Sequence, residues 1–127
     1  LIICPLRIGT AQLIWNPTKA RSLLGKSHLL TFIAERDKLS AFQFSSGREL
    51  ALNEENTSKV SIYLSRVPYR MPMVTPDGIY EPNADRRGRH SNLQLITKTL
   101  GFNHKIYKVH VESEAALEHL IGWYQFA

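Results

Sequence analysis

The chain has 127 residues, of which 43% are hydrophobic and 21% are charged, and its formal net charge is +5. This length allows one domain with its own apolar core, and this hydrophobic fraction excludes a chain that is disordered throughout. The one cysteine, Cys4, excludes an internal disulfide and a cysteine-rich zinc site.

We therefore predict a single domain over residues 1–127 in a reducing, cytoplasmic setting. The chain starts at Leu1 rather than Met, which suits a module of a longer protein. No stretch approaches the roughly 20 apolar residues of a membrane span, so no membrane partner is expected.

Short apolar runs and turn residues organise the first part of the chain. Leu1–Ile8 and Ala11–Trp15 predict short strands, or a strand followed by an irregular turn. After them, Thr18 is predicted to cap a short helix that Gly25 ends.

The next segments predict strands. His28–Ala34 and Leu39–Ser45 have the pattern of a hairpin, with Glu35–Lys38 as a four-residue polar loop. Arg48–Asn56 fits either a strand or one helical turn. Val60–Leu64 alternates apolar and polar residues, which predicts a half-buried strand.

Prolines dominate the segment Arg66–Asn83. It contains Pro68, Pro72, Pro76 and Pro82. Proline removes a backbone donor and breaks helices, so an ordered extended loop is predicted in place of a helix or a central strand. Loops of this length inside a compact domain are usually functional or mobile.

The stretch Asp85–Gln94 delivers three arginines and a histidine to Ser91. Ser91 and Gln94 have the spacing of a capping box, which predicts a helix start. The free N–H groups and positive dipole end of such a helix favour an anion, and guanidinium groups can bind phosphate through two hydrogen bonds. The alternative is a solvated loop whose arginines pair with nearby acids.

Two helices and a strand are predicted in the last third. Leu93, Ile96 and Leu100 share one face of a helix of about nine residues, ended by a glycine. His104–Val111 alternates as a strand, with Lys108 and His110 on one face. Ser113 then caps a final helix, whose core stripe is Leu117, Leu120, Ile121 and Tyr124. Together the elements predict an α+β domain with two or three helices and a mainly antiparallel, twisted sheet of about five strands, whose twist allows a barrel-like form.

Positive charge is concentrated where the function is predicted. Residues Ser65–Val111 hold eight Lys or Arg against three acids, whereas Glu112–Ala127 holds three acids and no base. This asymmetry is expected of a protein that binds a polyanion. The predicted nucleic-acid-binding residues are Arg66, Arg70, Arg86, Arg87, Arg89, His90, Ser91, Asn92, Lys98, Lys105 and Lys108.

Duplex DNA is predicted in preference to RNA, because the paired aromatics that stack RNA bases on adjacent strands are not evident. No metal or cofactor is expected, since zinc-ligand spacings, phosphate-binding loops and dinucleotide-binding glycines are missing. The prediction is a binding domain without its own catalytic set. It would suit the target-recognition module of a restriction or defence enzyme.

Two other functions fit the same residues. One is a metal-independent ribonuclease or toxin domain, in which His90 and His110 act as acid and base and Arg89 stabilises the developing charge. The other is a protein-interaction module whose acidic partner meets the basic loop. Sequence spacing cannot show whether the fold brings the two histidines together, so these alternatives stay open.

Overall fold

A computed structural model of the chain describes residues 15–55, 58–82 and 90–127. The helices in these ranges are α1 (Pro17–Lys26), α2 (Leu93–Ile96) and α3 (Glu114–Tyr124). The strands are β1 (Leu30–Arg36), β2 (Leu39–Phe44), β3 (Glu49–Asn53), β4 (Ser61–Leu64), β5 (Val74–Tyr80) and β6 (Ile106–Val111). The predicted strands before Trp15 lie outside the described residues.

The six strands form one sheet in the order β1-β2-β3-β4-β6-β5, and every neighbouring pair is antiparallel. The predicted α+β class with a mainly antiparallel sheet is therefore confirmed. β1 and β5 are the two edges of the described sheet, which is open and not closed into a barrel.

The β1–β2 hairpin turns more tightly than predicted. Glu35 and Arg36 still pair with Ser40 and Leu39, so the turn contains only Asp37 and Lys38. Both turn residues have positive φ, 49° and 65°. Two-residue turns of this kind match the right-handed twist of the strands, which explains why the four-residue loop was wrong.

Helices α1 and α3 cover one face of the sheet, which we call the helix face. On it, Phe42, Leu50 and Ile62 pack with Leu24 of α1 and Leu120 of α3, and all five side chains are buried. Burying a side chain of this size stabilises the fold by about 1.5–3 kcal/mol. The predicted stripe of α3 is confirmed, since all four of its members are buried.

The two helix starts differ in how well the sequence predicted them. Ser113 caps α3 by accepting a hydrogen bond from the Ala116 amide, as predicted. Asn16 caps α1 through the Lys19 amide at 2.9 Å, and a proline follows at the first helical position. The prediction of Thr18 as the cap was therefore wrong, and Gly25 lies inside the last turn of α1.

Two strand predictions also need correction. All four residues of β4 are buried, because both faces of this central strand are covered. The proline-rich segment was predicted to be a loop, yet residues 74–80 form β5 with Pro76 inside it. β5 is an edge strand, which pairs with a neighbour on one side only. The N–H group that proline lacks therefore interrupts fewer hydrogen bonds between strands there.

The opposite face of the sheet, which we call the second face, has its own apolar cluster. Tyr63 and Ile106 of the sheet pack there with Leu93 and Leu100. Among the described residues, no helix is long and apolar enough to cross a membrane.

The predicted helix of about nine residues is only the four residues of α2. Its N-cap is Asn92, which makes no side-chain cap bond, so the Ser91–Gln94 capping box was wrong. Gln94 instead accepts a hydrogen bond from the Phe102 amide at 2.7 Å. The chain leaves the helix at Thr97, whose backbone is extended.

Candidate functional site

Residues 90–104 lie on the second face, where Leu93 and Leu100 pack against buried residues of β2, β3, β4 and β6. At one end of this segment, Asn92 Nδ2 donates to Asp37 Oδ2 in the hairpin turn at 3.1 Å. Towards the other end, the amides of Lys98 and Thr99 donate to the buried carboxylate of Glu49 at 2.7 to 3.1 Å. The segment is thus fixed to the sheet at two points.

A cleft of about 410 Å³ lies at the end of the sheet where Ser61 pairs with His110. Its lining is polar and comes from β3, β4, β5, β6 and the connection after β3. The lining residues are Asn53, Glu55, Lys59, Ser61, Asp77, Lys108 and His110.

Strand register explains how residues that are far apart in sequence meet here. Asn53 pairs with Ser61, and Ser61 pairs with His110, so these three form a row across β3, β4 and β6. Lys108 lies two residues before His110 and therefore on the same face. The alternation predicted for this strand is confirmed, since Val109 and Val111 belong to the helix-face core and Ile106 to the other cluster.

Asp77 approaches the side chains of Lys108 and His110 from β5. A register shift between Pro76 and Gly78 leaves it without a paired residue on β6. Irregularities of this kind re-aim side chains at sheet edges. Its Oδ2 lies 3.0 Å from His110 Nε2 and 3.6 Å from Lys108 Nζ. His110 and Asp77 therefore form a histidine–carboxylate pair at the cleft wall.

His90 stands beside the cleft and is nearly buried, with 8% of its side chain exposed. Its Nδ1 accepts a hydrogen bond from the Asn92 amide at 3.2 Å, so the neutral ring carries its proton on Nε2. Nε2 is 3.6 Å from Glu55 Oε2, beyond hydrogen-bond distance, and has no other partner within the described residues. A buried donor without an acceptor costs roughly 1–3 kcal/mol and calls for an explanation.

Tyr63 lies under this arrangement and is 1% exposed. Burial raises the pKa of its hydroxyl to about 12, while hydrogen bonds with the Asn53 side chain and the His90 backbone partly oppose that rise. The neutral hydroxyl thus connects β3, β4 and the start of the 90–104 segment. It holds His90 against the cleft end of the sheet.

Of the predicted site residues, Lys108 and His110 line the cleft, and His90 lies beside it, 3.6 Å from Glu55. Arg86, Arg87 and Arg89 lie outside the described residues, and in the sequence they directly precede His90. Ser91 is exposed, whereas Asn92 is 8% exposed and bonded to the hairpin turn. The amides of Asn92 and Leu93 donate to the His90 ring and carbonyl, so both already have acceptors within the turn.

The other predicted cations lie away from the cleft. Arg66 follows β4 at the end where Leu64 pairs with Tyr107, opposite to the His110 end. Arg70 stacks on the exposed ring of Tyr69 at 5.4 Å. Lys98 is near the Glu49 end of the second face. Lys105 pairs with Glu81 at 3.4 Å, and this carboxylate raises the pKa of the exposed amine.

Sequence reasoning missed most of the cleft lining. Asn53, Glu55, Lys59, Ser61 and Asp77 were not among the predicted site residues. The alternation along β6 was a usable signal for Lys108 and His110. No such signal exists for cross-strand partners, because register depends on turns and bulges that a single sequence does not display.

The described residues contain no group of three or more His, Cys, Asp or Glu side chains that could hold a metal ion. No protein-family model, no curated protein and no solved structure matches this chain. The function must therefore be inferred from the residues and geometry of the cleft.

Proposed function

We propose that this chain is a nucleic-acid-binding domain and that one strand of the nucleic acid lies in the cleft. The observation that carries the proposal is that Lys59 and Lys108, which are far apart in sequence, line one open, polar cleft together. Their N–H groups are the donors that phosphate oxygens accept. The cleft volume of about 410 Å³ is in the range of natural ligand sites.

The cleft also contains two carboxylates, which alone would repel phosphate. Asp77 is already paired with His110 and Lys108, so its charge is largely offset. Glu55 has 58% of its side chain exposed and can turn towards solvent. The net attraction is proposed to come from the positive middle of the chain, including Arg86, Arg87 and Arg89 next to His90 in sequence.

The position and length of the helices favour a single strand over a duplex. Duplex DNA is read by a helix or a two-stranded ribbon that enters the major groove. α1 and α3 lie on the opposite face of the sheet, and α2 has only four residues. The sequence gives three further predictions that differ from this proposal or add to it. They are duplex DNA as the ligand, a cytoplasmic setting and a role as the recognition module of a restriction or defence enzyme.

Binding is tested by fluorescence anisotropy in EDTA. The probes are labelled oligonucleotides of one sequence, made as 2′-O-methyl RNA, single-stranded DNA and duplex DNA. We expect the single strands to bind, with an affinity that falls steeply as salt rises. If the chain binds the duplex as tightly as the single strands, duplex DNA is favoured as the ligand, as predicted from the sequence.

Matched variants locate the binding surface. Lys59→Gln with Lys108→Gln should weaken binding and reduce the salt slope by about one for each lost phosphate contact. Lys26→Gln, on the exposed end of α1, is the control and should change neither. If no probe binds at low salt, or if the control weakens binding as much as the cleft variants, the proposal is wrong. Binding only to acidic proteins would favour the interaction-module alternative.

A further inference from the structure

The cleft contains the parts of an acid–base site as well as a binding surface. His110 Nε2 is 3.0 Å from Asp77 Oδ2, and 24% of the histidine side chain is exposed. When Nε2–H donates to the carboxylate, the lone pair of the neutral ring is on Nδ1. A carboxylate in this position orients the ring and stabilises the imidazolium that forms when Nδ1 takes a proton.

His90 contributes a donor of a different kind. Its Nδ1 is occupied by the Asn92 amide, which leaves Nε2–H as a buried donor without an acceptor in the described residues. The nearest carboxylate, Glu55, lines the cleft and is largely exposed. A phosphate oxygen that displaces the Glu55 side chain would give Nε2–H the acceptor it lacks.

From these two observations we infer that the cleft cleaves RNA without a metal ion, with His110 as the general base. The inference rests on the proposed function, because the strand must first bind in the cleft. His90 and Lys108 stabilise the charge that develops on the phosphate oxygens. RNA is the substrate class because its 2′-hydroxyl is the nucleophile, which DNA does not have.

The reaction is a transfer within the strand. His110 Nδ1 takes the proton of the 2′-hydroxyl, and the 2′ oxygen attacks the adjacent phosphorus while the bond from phosphorus to the 5′ oxygen breaks. The 5′ oxygen takes a proton from water, and His110 returns its proton to the hydroxide that remains. The products are a 2′,3′-cyclic phosphate and a 5′-hydroxyl, and the protein ends unchanged.

The experiment uses the whole chain with a labelled single-stranded RNA in EDTA, beside the 2′-O-methyl strand of the same sequence. We expect cleavage of the RNA only, with cyclic phosphate ends identified by mass spectrometry. His110→Gln should reduce the rate at least about 100-fold and leave binding of the 2′-O-methyl strand within about twofold. Asp77→Asn should also slow cleavage, because it removes the carboxylate that orients the ring.

His119→Gln is the matched control, since His119 is an exposed histidine of α3 on the helix face. It should cleave as the natural chain does, and thermal unfolding checks that every variant is folded. If the 2′-O-methyl strand binds but RNA stays intact, catalysis is refuted and the binding function stands. If the 2′-O-methyl strand does not bind, the proposed binding function itself is wrong. Cleavage that persists in a folded His110→Gln variant would also overturn the inference.

Discussion

At the scale of single residues, Glu49 is the one acid among the described residues that is buried. It is 3% exposed, and its carboxylate accepts hydrogen bonds from the Lys98 amide and from both the amide and the hydroxyl of Thr99. A buried carboxylate needs such donors, because burying a charge without them is costly. These bonds fix the far end of the segment that begins at His90.

Glu49→Ala should therefore lower the free energy of unfolding by about 3 kcal/mol, since hydrogen bonds to a charged group contribute roughly 1.5–3 kcal/mol each and are not fully additive. Urea unfolding followed by circular dichroism measures the change. Glu118→Ala, an exposed acid of α3, is the control and should stay within about 0.5 kcal/mol. A loss for Glu49→Ala as small as that of the control would refute the anchoring role.

Residues of the site differ in how far the sequence predicted them, and the reason is physical. Lys108 and His110 were placed on one face because alternation is a local property of a strand. Asp77 reaches them only through the pairing of β5 with β6 and the shift after Pro76. Such long-range register leaves no local pattern, so the partner that makes His110 a candidate base could not be predicted.

At the scale of elements, local signals predicted the structure where nothing competed with them. Ser113 caps α3 because serine, an acidic first turn and an apolar stripe all agree. The serine at position 91 has equally good spacing, but the chain there must follow the second face and bond to Glu49, so α2 ends after one turn. Tertiary contacts, worth several kcal/mol, overrode the capping propensity of about 1 kcal/mol.

The β1–β2 turn gives a prediction at this scale. Lys38 has a φ of 65°, a conformation that costs a residue with a side chain roughly 1 kcal/mol and costs glycine little. Lys38→Gly should therefore raise the free energy of unfolding by about 0.5–1 kcal/mol. Lys38→Ala removes the same charge and keeps the strain, so it should give no gain in urea unfolding. Equal effects of the two substitutions would contradict this explanation.

At the scale of the whole molecule, a large buried tyrosine lies on each side of the sheet. Tyr63 belongs to the second face and Tyr124 to the helix face. The Tyr124 hydroxyl bonds to the Glu49 carbonyl and to Ser65 at 2.7 to 2.8 Å, and burial raises its pKa. Neither hydroxyl can lose its proton without placing a charge in the interior.

This arrangement sets an alkaline limit on stability. Burial raises the pKa of Tyr63 from 10.0 to about 12, so between these values the folded chain holds a proton that the unfolded chain has lost. The contribution is complete below pH 10 and is lost as pH rises towards 12, with a slope of up to about 1.4 kcal/mol per pH unit.

Tyr63→Phe should remove this part of the pH dependence. Between pH 9 and pH 11 the natural chain should lose about 1 kcal/mol more of its unfolding free energy than the variant does. Each chain is compared with itself at the two pH values, so any pH-independent loss of stability from the missing hydroxyl cancels. Tyr69→Phe is the control, because Tyr69 is 91% exposed and should keep the full dependence. Urea unfolding at both pH values measures the difference. If the unfolding free energies of Tyr63→Phe and of the natural chain change with pH in parallel, Tyr63 ionises as easily in the folded state as in the unfolded one.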